Sequence, residues 1–176
     1  MNYGYYDDNL KLDLSEADEI ERYPIQLYEH LCSKINIEGL NVLEVGSGRG
    51  GGASYIARYH KPNKIYGIDL SPNAVKLSNE SHKQDNLEFL VGDSENIPFE
   101  NNFFDVVINV ESSHCYPSIP KFINEVSRVL KKNGKFLYCD FVIDTNITDH
   151  LSKLEHSDLI SNDYIDITKN IIKASD

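Results

Sequence analysis

Short apolar runs alternate with amphipathic segments from residue 41 to residue 143. The runs at 41–45, 64–68, 87–91, 105–110 and 134–142 are rich in Val, Ile, Leu, Phe and Tyr, and they predict five buried strands. Between them, residues 51–59 predict a helix. Ser71-Pro72 supplies an N-cap and a first-turn proline for a second helix running toward Lys83. The clearest helix starts at Ser118. Its apolar residues Ile119, Phe122, Ile123, Val126, Val129 and Leu130 share one face, Lys121, Glu125, Arg128 and Lys132 take the other, and Asn133-Gly134 is expected to end it in a left-handed turn. Pro24 marks a further helix start, with Tyr28, Leu31, Cys32 and Ile35 on one face, behind a Tyr-rich acidic arm of a kind that is often mobile. Residues 148–156 are compatible with a helix and 164–172 with strand or helix. The alternation predicts parallel βαβ units in an open α/β sheet.

With 176 residues the chain is long enough for one domain and one core. Seventeen Lys and Arg against 28 Asp and Glu give a net charge of −11. That balance argues against a nucleic-acid binder or a polybasic membrane-surface protein and leaves small molecules or other proteins as partners. Cys32, Cys115 and Cys139 lie far apart and fit neither a disulfide framework nor a zinc site, so no metal and a reducing, cytoplasmic setting are expected. The first residues are acidic where a signal peptide is basic, and no apolar stretch approaches the roughly twenty residues that span a bilayer, so neither export nor membrane insertion is expected.

In an open parallel sheet, ligands bind outside the carboxyl ends of the strands. There the first strand runs through Glu44-Val45-Gly46-Ser47-Gly48-Arg49-Gly50-Gly51-Gly52 into a helix. Glycines allow a tight turn and a close approach to a ligand, and the N–H groups of a helix start suit an anionic group. The second strand ends at Asp69, the third at Gly92-Asp93-Ser94-Glu95, and the fourth leads into Asn109-Val110-Glu111, so each of these ends carries an acid. Gly46-x-Gly48-x-x-Gly51 with Asp69 beyond it also fits a dinucleotide fingerprint, which keeps a nicotinamide-dependent oxidoreductase as an alternative. Glu44 separates the two readings. A carboxylate there repels a diphosphate and attracts a cation, which suits a ligand with an ammonium, a sulfonium, a carboxylate, one ribose and an adenine. Its plain structural alternative is a helix-capping or salt-bridged acid.

The sequence resembles the class I S-adenosylmethionine-dependent methyltransferases. VLEVGSGRGG at 42–51 is similar to their glycine motif and IYGIDLS at 65–71 to their ribose-binding strand end. LVGDSENIPFENNFFDVV at 90–107 is similar to their adenine loop and fourth strand, and FINEVSRVLKKNGKFLYCDF at 122–141 to the helix and strand that follow. The resemblance implies a Rossmann-like, doubly wound, mostly parallel sheet of order 3-2-1-4-5 with helices on both faces. The edge that sixth and seventh strands normally form would be incomplete, residues 159–172 resembling the sixth-strand region. It divides one domain into an arm and helix covering the cofactor site (1–40), a cofactor-binding core (41–143) and a partial C-terminal edge (144–176). It implies that Glu44 holds the methionine ammonium, directly or through water, and that Gly46, Ser47 and Gly48 line the methionine and ribose. Asp69 would take both ribose hydroxyls, with Leu70 against the adenine. Asp93 would accept from the adenine amine beside Ser94, and Asn109 and Val110 would offer backbone groups to the methionine end. S-adenosyl-L-homocysteine would be the product.

ESSHCYPS at 111–118, together with NYGYYDD at 2–8, resembles a branch that includes phthiotriol dimycocerosate methyltransferases, which methylate a hydroxyl of a lipid-like substrate. Methyl transfer from a sulfonium is an in-line displacement that mainly needs alignment of the acceptor. For a hydroxyl acceptor a base helps. His114 is the candidate, with Glu111 orienting it or the acceptor, and Tyr3, Tyr5 or Tyr6 closing over the cofactor. The expected function is therefore methyl transfer to a hydroxyl of a small or lipid-like molecule. The non-enzymatic alternative is a cofactor-binding module that lacks its substrate-covering part. An uncovered sheet edge predicts a homodimer.

Overall fold

The alternation of apolar runs and amphipathic segments is realised as a parallel sheet between two layers of helices. The computed structural model describes residues 2–154, 159–160 and 164–175. In chain order its elements are α1 (Glu16–Glu19), α2 (Arg22–Cys32), β1 (Asn41–Val45), α3 (Gly51–Tyr59), β2 (Lys64–Asp69), α4 (Pro72–Ser81), β3 (Leu87–Val91), β4 (Phe104–Val110), α5 (Ile119–Val129), β5 (Leu130–Cys139), α6 (Ile147–Leu154) and α7 (Thr168–Ser175). A 3-10 turn at Ser113–Cys115 follows β4 and another at Asp144–Asn146 follows β5. The strand order is β3-β2-β1-β4-β5, every pairing parallel, as the resemblance implies.

Successive side chains of a strand point to opposite faces, and the core divides accordingly. Val42, Ile65, Phe89, Val106 and Ile108 pack against α2, α3 and α4 on one face. Leu43, Val45, Ile68, Phe104 and Val107 pack against Phe122, Ile123, Val126 and Val129 of α5 on the other. The expected cap is present at α4, where Ser71 accepts from the Ala74 N–H at 3.3 Å, and Ser118 likewise caps α5, accepting from the Lys121 N–H at 3.4 Å.

Three expectations are corrected. The long helix stops at Val129 rather than running to Asn133-Gly134, because the Arg128 and Val129 carbonyls accept from the Asn102 and Phe103 N–H groups and are held by the preceding loop. Asn133 does take the left-handed conformation (φ 68°), but inside an irregular start of β5, where Leu130 and Lys135 stand opposite Phe104 and Val106. Accordingly β5 ends at Cys139 and not at residue 142. The sixth-strand likeness of residues 159–172 is not realised among the described residues, residues 161–163 lying outside them; Thr168 opens a helix whose N-terminus is capped by Asp166, and Ile167 and Ile171, one helical turn apart, pack on the core. Residues 148–156, compatible with a helix in sequence, form α6 as far as Leu154, with 155 and 156 outside the described residues.

The arm is anchored along its length. Tyr5 donates its N–H to the Tyr23 carbonyl, its ring lies stacked at 4.3 Å on His30, and the Asn170 side chain of α7 donates to the Tyr6 carbonyl at 2.9 Å.

Candidate functional site

The carboxyl ends of β1, β2 and β4 meet around the glycine loop. Gly46 has φ 74°, and a Cβ there would fall on the Ser112 and Tyr116 hydroxyls, so the first glycine is required both by backbone and by contact. Gly50 (φ 79°) is the residue the turn needs before α3; a Cβ on Gly51, the third glycine of the fingerprint, would meet nothing within 4 Å.

Glu44 lies beneath this loop and is 1 % exposed. Tyr28 of α2 donates to its Oε1 at 2.5 Å, and the Ala53 N–H in the first turn of α3 donates to its Oε2 at 2.9 Å. The helix-capping alternative thus describes its present bonds. Gly52 makes the arrangement geometrically allowed, since a side chain there would occupy the Tyr28 ring. Burial pushes the Glu44 carboxyl up to about 7 against the opposing pull of its two donors.

Asp69, at the end of β2, accepts from the Gly48 N–H through one oxygen and from the Ser71 N–H through the other, both at 2.9 Å, which fixes the glycine loop to the start of α4. Next to it, at the strand end, Leu70 is 71 % exposed. Asp93 is exposed in the turn after β3, accepting from the Glu95 N–H, with Ser94 half-buried beside it. Asn109 is fully buried. Its side-chain amide donates to the Val45 carbonyl at 2.9 Å and to Ser112 and Tyr116, and Val110 pairs with Cys139 of β5. Two buried polar atoms at this end, the Ser47 hydroxyl and the Asn109 Oδ1, have no partner within the described protein.

His114 sits on the 3-10 turn beyond β4. Glu111 reaches it by a left-handed backbone (φ 45°), a conformation that costs a non-glycine residue energy and is kept here by the Glu111 N–H bond to the Cys139 carbonyl. The group that orients His114 is Asp140, whose Oδ1 lies 2.8 Å from the His114 Nδ1 and whose side chain is fully buried. Glu111 instead accepts from the Tyr3 N–H at 2.9 Å, and burial raises its pKa. Sequence reasoning missed Asp140 because it read residues 134–142 as one strand, which placed this acid inside the strand rather than at its carboxyl end. A lone carboxylate in the apolar run FLYCDFV was the available signal. Phe141 lies 4.1 Å from the His114 ring and 5.7 Å edge-on from Tyr3, and both aromatics are exposed. Of the three arm tyrosines, Tyr3 is at this mouth, Tyr5 is buried in the core and Tyr6 hydrogen-bonds Asp8. Among the described residues no cluster of His, Cys, Asp or Glu could hold a metal ion, and no helix is long and apolar enough to cross a membrane.

The chain is 47 % identical over 141 residues to a fatty-acid O-methyltransferase of Mycolicibacterium smegmatis, a match covering 80 % of this chain and 52 % of that protein. It is 45 % identical, with the same coverages, to a phthiotriol/phenolphthiotriol dimycocerosates methyltransferase of Mycobacterium leprae. The chain therefore spans about half the length of these curated relatives. Among solved structures, the 4+2 cyclase SpnF superposes with a TM-score of 0.61 at 25 % identity, covering 77 % of this chain and 49 % of that one. A family profile described as a methyltransferase domain matches residues 43–138, which run from within β1 to within β5 and include the glycine loop and the turn bearing His114, and the chain belongs to that family.

Proposed function

We propose that this chain binds S-adenosylmethionine at the glycine loop and transfers its methyl group to a hydroxyl of a lipid-like molecule. The observation that carries the reading is the pair His114–Asp140, a partly exposed imidazole held by a buried carboxylate at the strand ends. Family membership and the relatives' names favour the methyl donor and the lipid-like acceptor, while the 4+2 cyclase is a reminder that one scaffold hosts more than one chemistry.

The donor set suits such a cofactor. Asp69 uses one bond per carboxylate oxygen inside the protein, and a carboxylate has about four acceptor sites, so lone pairs are left for two ribose hydroxyls. Leu70 offers an apolar face to the adenine, Asp93 and Ser94 a polar edge to its amine. The unpartnered Ser47 hydroxyl and Asn109 Oδ1, with Gly46, Gly48 and the Val110 backbone, suit the polar methionine end. Glu44 acts from beneath through its charge, which favours the ammonium. When bound, the cofactor supplies an already activated methyl group.

The protein's part is then orientation and a proton. With Nδ1–H donated to Asp140, His114 has its Nε2 lone pair free to accept the hydroxyl proton, and the buried carboxylate stabilises the imidazolium that results. Phe141 and Tyr3 give the mouth an apolar rim fitting an acyl or alkyl chain.

Calorimetry with S-adenosylmethionine, S-adenosylhomocysteine and NAD should show micromolar binding of the first two alone; a response only to NAD would restore the oxidoreductase reading. With a long-chain alcohol and labelled donor, His114→Ala and Asp140→Asn should each lower turnover by about a hundredfold, the usual share of a positioned base, and leave cofactor affinity within a factor of two. Binding without turnover on any acceptor would favour the inactive module, and full activity of both variants would end the role of the pair.

A further inference from the structure

Asp140 is the end point of a longer chain of hydrogen bonds whose direction can be worked out by counting protons. Its Oδ2 lies 2.6 Å from the Ser113 hydroxyl and 3.0 Å from the His114 N–H, and its Oδ1 2.8 Å from the His114 Nδ1 and 2.9 Å from the Phe141 N–H. The Ser113 hydroxyl is also 2.7 Å from the Tyr138 hydroxyl, which is 2.8 Å from the Nε2 of His150 on α6. Ser113 is fully buried, and the His150 ring lies nearly parallel to that of Tyr138 at 5.9 Å.

A carboxylate can only accept, and each hydroxyl has one proton to give. Ser113 therefore spends its proton on Asp140 and must accept from Tyr138. Tyr138 spends its own on Ser113 and must accept from His150. Burial lowers the pKa of His150, with Asp140 and Asp149 pulling it up and Lys153 pushing it down, so near neutrality the imidazole has one N–H, and that N–H has to be on Nε2.

We propose that His150, acting through Tyr138 and Ser113, is a positioning residue for the His114–Asp140 pair, keeping every bond of the chain pointed toward Asp140. All four acceptor directions of the carboxylate are then filled by donors, His114 is held as the Nδ1–H tautomer, and its Nε2 is left without a proton. The inference rests on the base role assigned to His114, and it gives α6, a segment outside the glycine-loop core, a part in the chemistry.

The first test does not involve activity. In nitrogen-15 spectra of the histidine-labelled chain at pH 8, assigned with the His150→Phe and His114→Ala variants, His150 should be protonated on Nε2 and His114 on Nδ1. A His150 protonated on Nδ1 would mean that Tyr138 donates to it, and would overturn the proposal whatever His114 does. The second test is kinetic. His150→Phe should lower kcat about tenfold, the low end of what an outer partner of a metal-bound histidine is worth, with little change in KM, and His150→Gln, which keeps an N–H donor at nearly the same place, should restore most of the rate. An undiminished kcat in His150→Phe, or a Gln variant as slow as the Phe variant, would remove His150 from the machinery. Should His114→Ala prove fully active while the tautomers are as stated, the base assignment would fall and the hydrogen-bond chain would stand as a structural network.

Discussion

Glu44 holds a carboxylate where water cannot reach it, and the cost of that position is visible in a pKa near 7. A cation brought to the loop favours the ionised form, so binding and deprotonation are linked. Between pH 6 and pH 8 the ionised fraction of such a group rises from about a tenth to about nine-tenths, and affinity for S-adenosylmethionine should rise by about tenfold over that range. Glu44→Gln should bind more weakly and flatten the slope. Calorimetry at the two pH values checks this, and an unchanged slope in the variant would assign the linkage to another group. At this scale the sequence was most readable where residue type is forced by chemistry: the acids after β2 and β3 and the histidine after β4 lie at strand ends as expected. It was least readable where partners meet across long separations. Nothing local announces that Tyr28 will reach Glu44 or that Asp140 will meet His114, because those contacts exist only once helix packing and strand register have brought distant segments together.

The elements themselves were legible wherever local signals and tertiary contacts agree. β1, α3 and β3 begin and end where their apolar runs do, and Ser71-Pro72 and Ser118 open helices as caps should. Disagreement is concentrated at the α5–β5 junction, where Asn133-Gly134 is a genuine turn signal that the loop at 102–103 overrides by taking the last helical carbonyls. The packing of α2 on α3 depends on a missing side chain. Gly52→Ala would place a methyl group in the Tyr28 ring, forcing the ring out and leaving the buried Glu44 with one donor fewer. The expected loss is about 1–3 kcal/mol, read as a lower denaturation midpoint, even though alanine ordinarily favours a helix over glycine. A variant as stable as the parent would mean that Tyr28 moves aside without cost.

For the whole molecule the pairing at the end of the sheet is the feature with the most immediate consequence. Among the described residues β5 pairs on one side only, with β4. An unpaired strand edge invites another chain, and light scattering on this 20.0 kDa chain should show a dimer. A monomer at the same concentration would show that the edge is protected.

The clasp between the arm and α7 has a different kind of consequence, for the order in which the molecule assembles. The Asn170 amide and the Tyr6 carbonyl are 164 positions apart, so their bond closes a very long loop. Loop closure costs more entropy as the separation grows, so this bond forms after the local contacts of the arm have been made. Since the mouth beside His114 includes Tyr3 of that same segment, this part of the site is the one that a local opening of the clasp would loosen. Backbone amides around Tyr6 should accordingly exchange with solvent faster than those of β1 and β4.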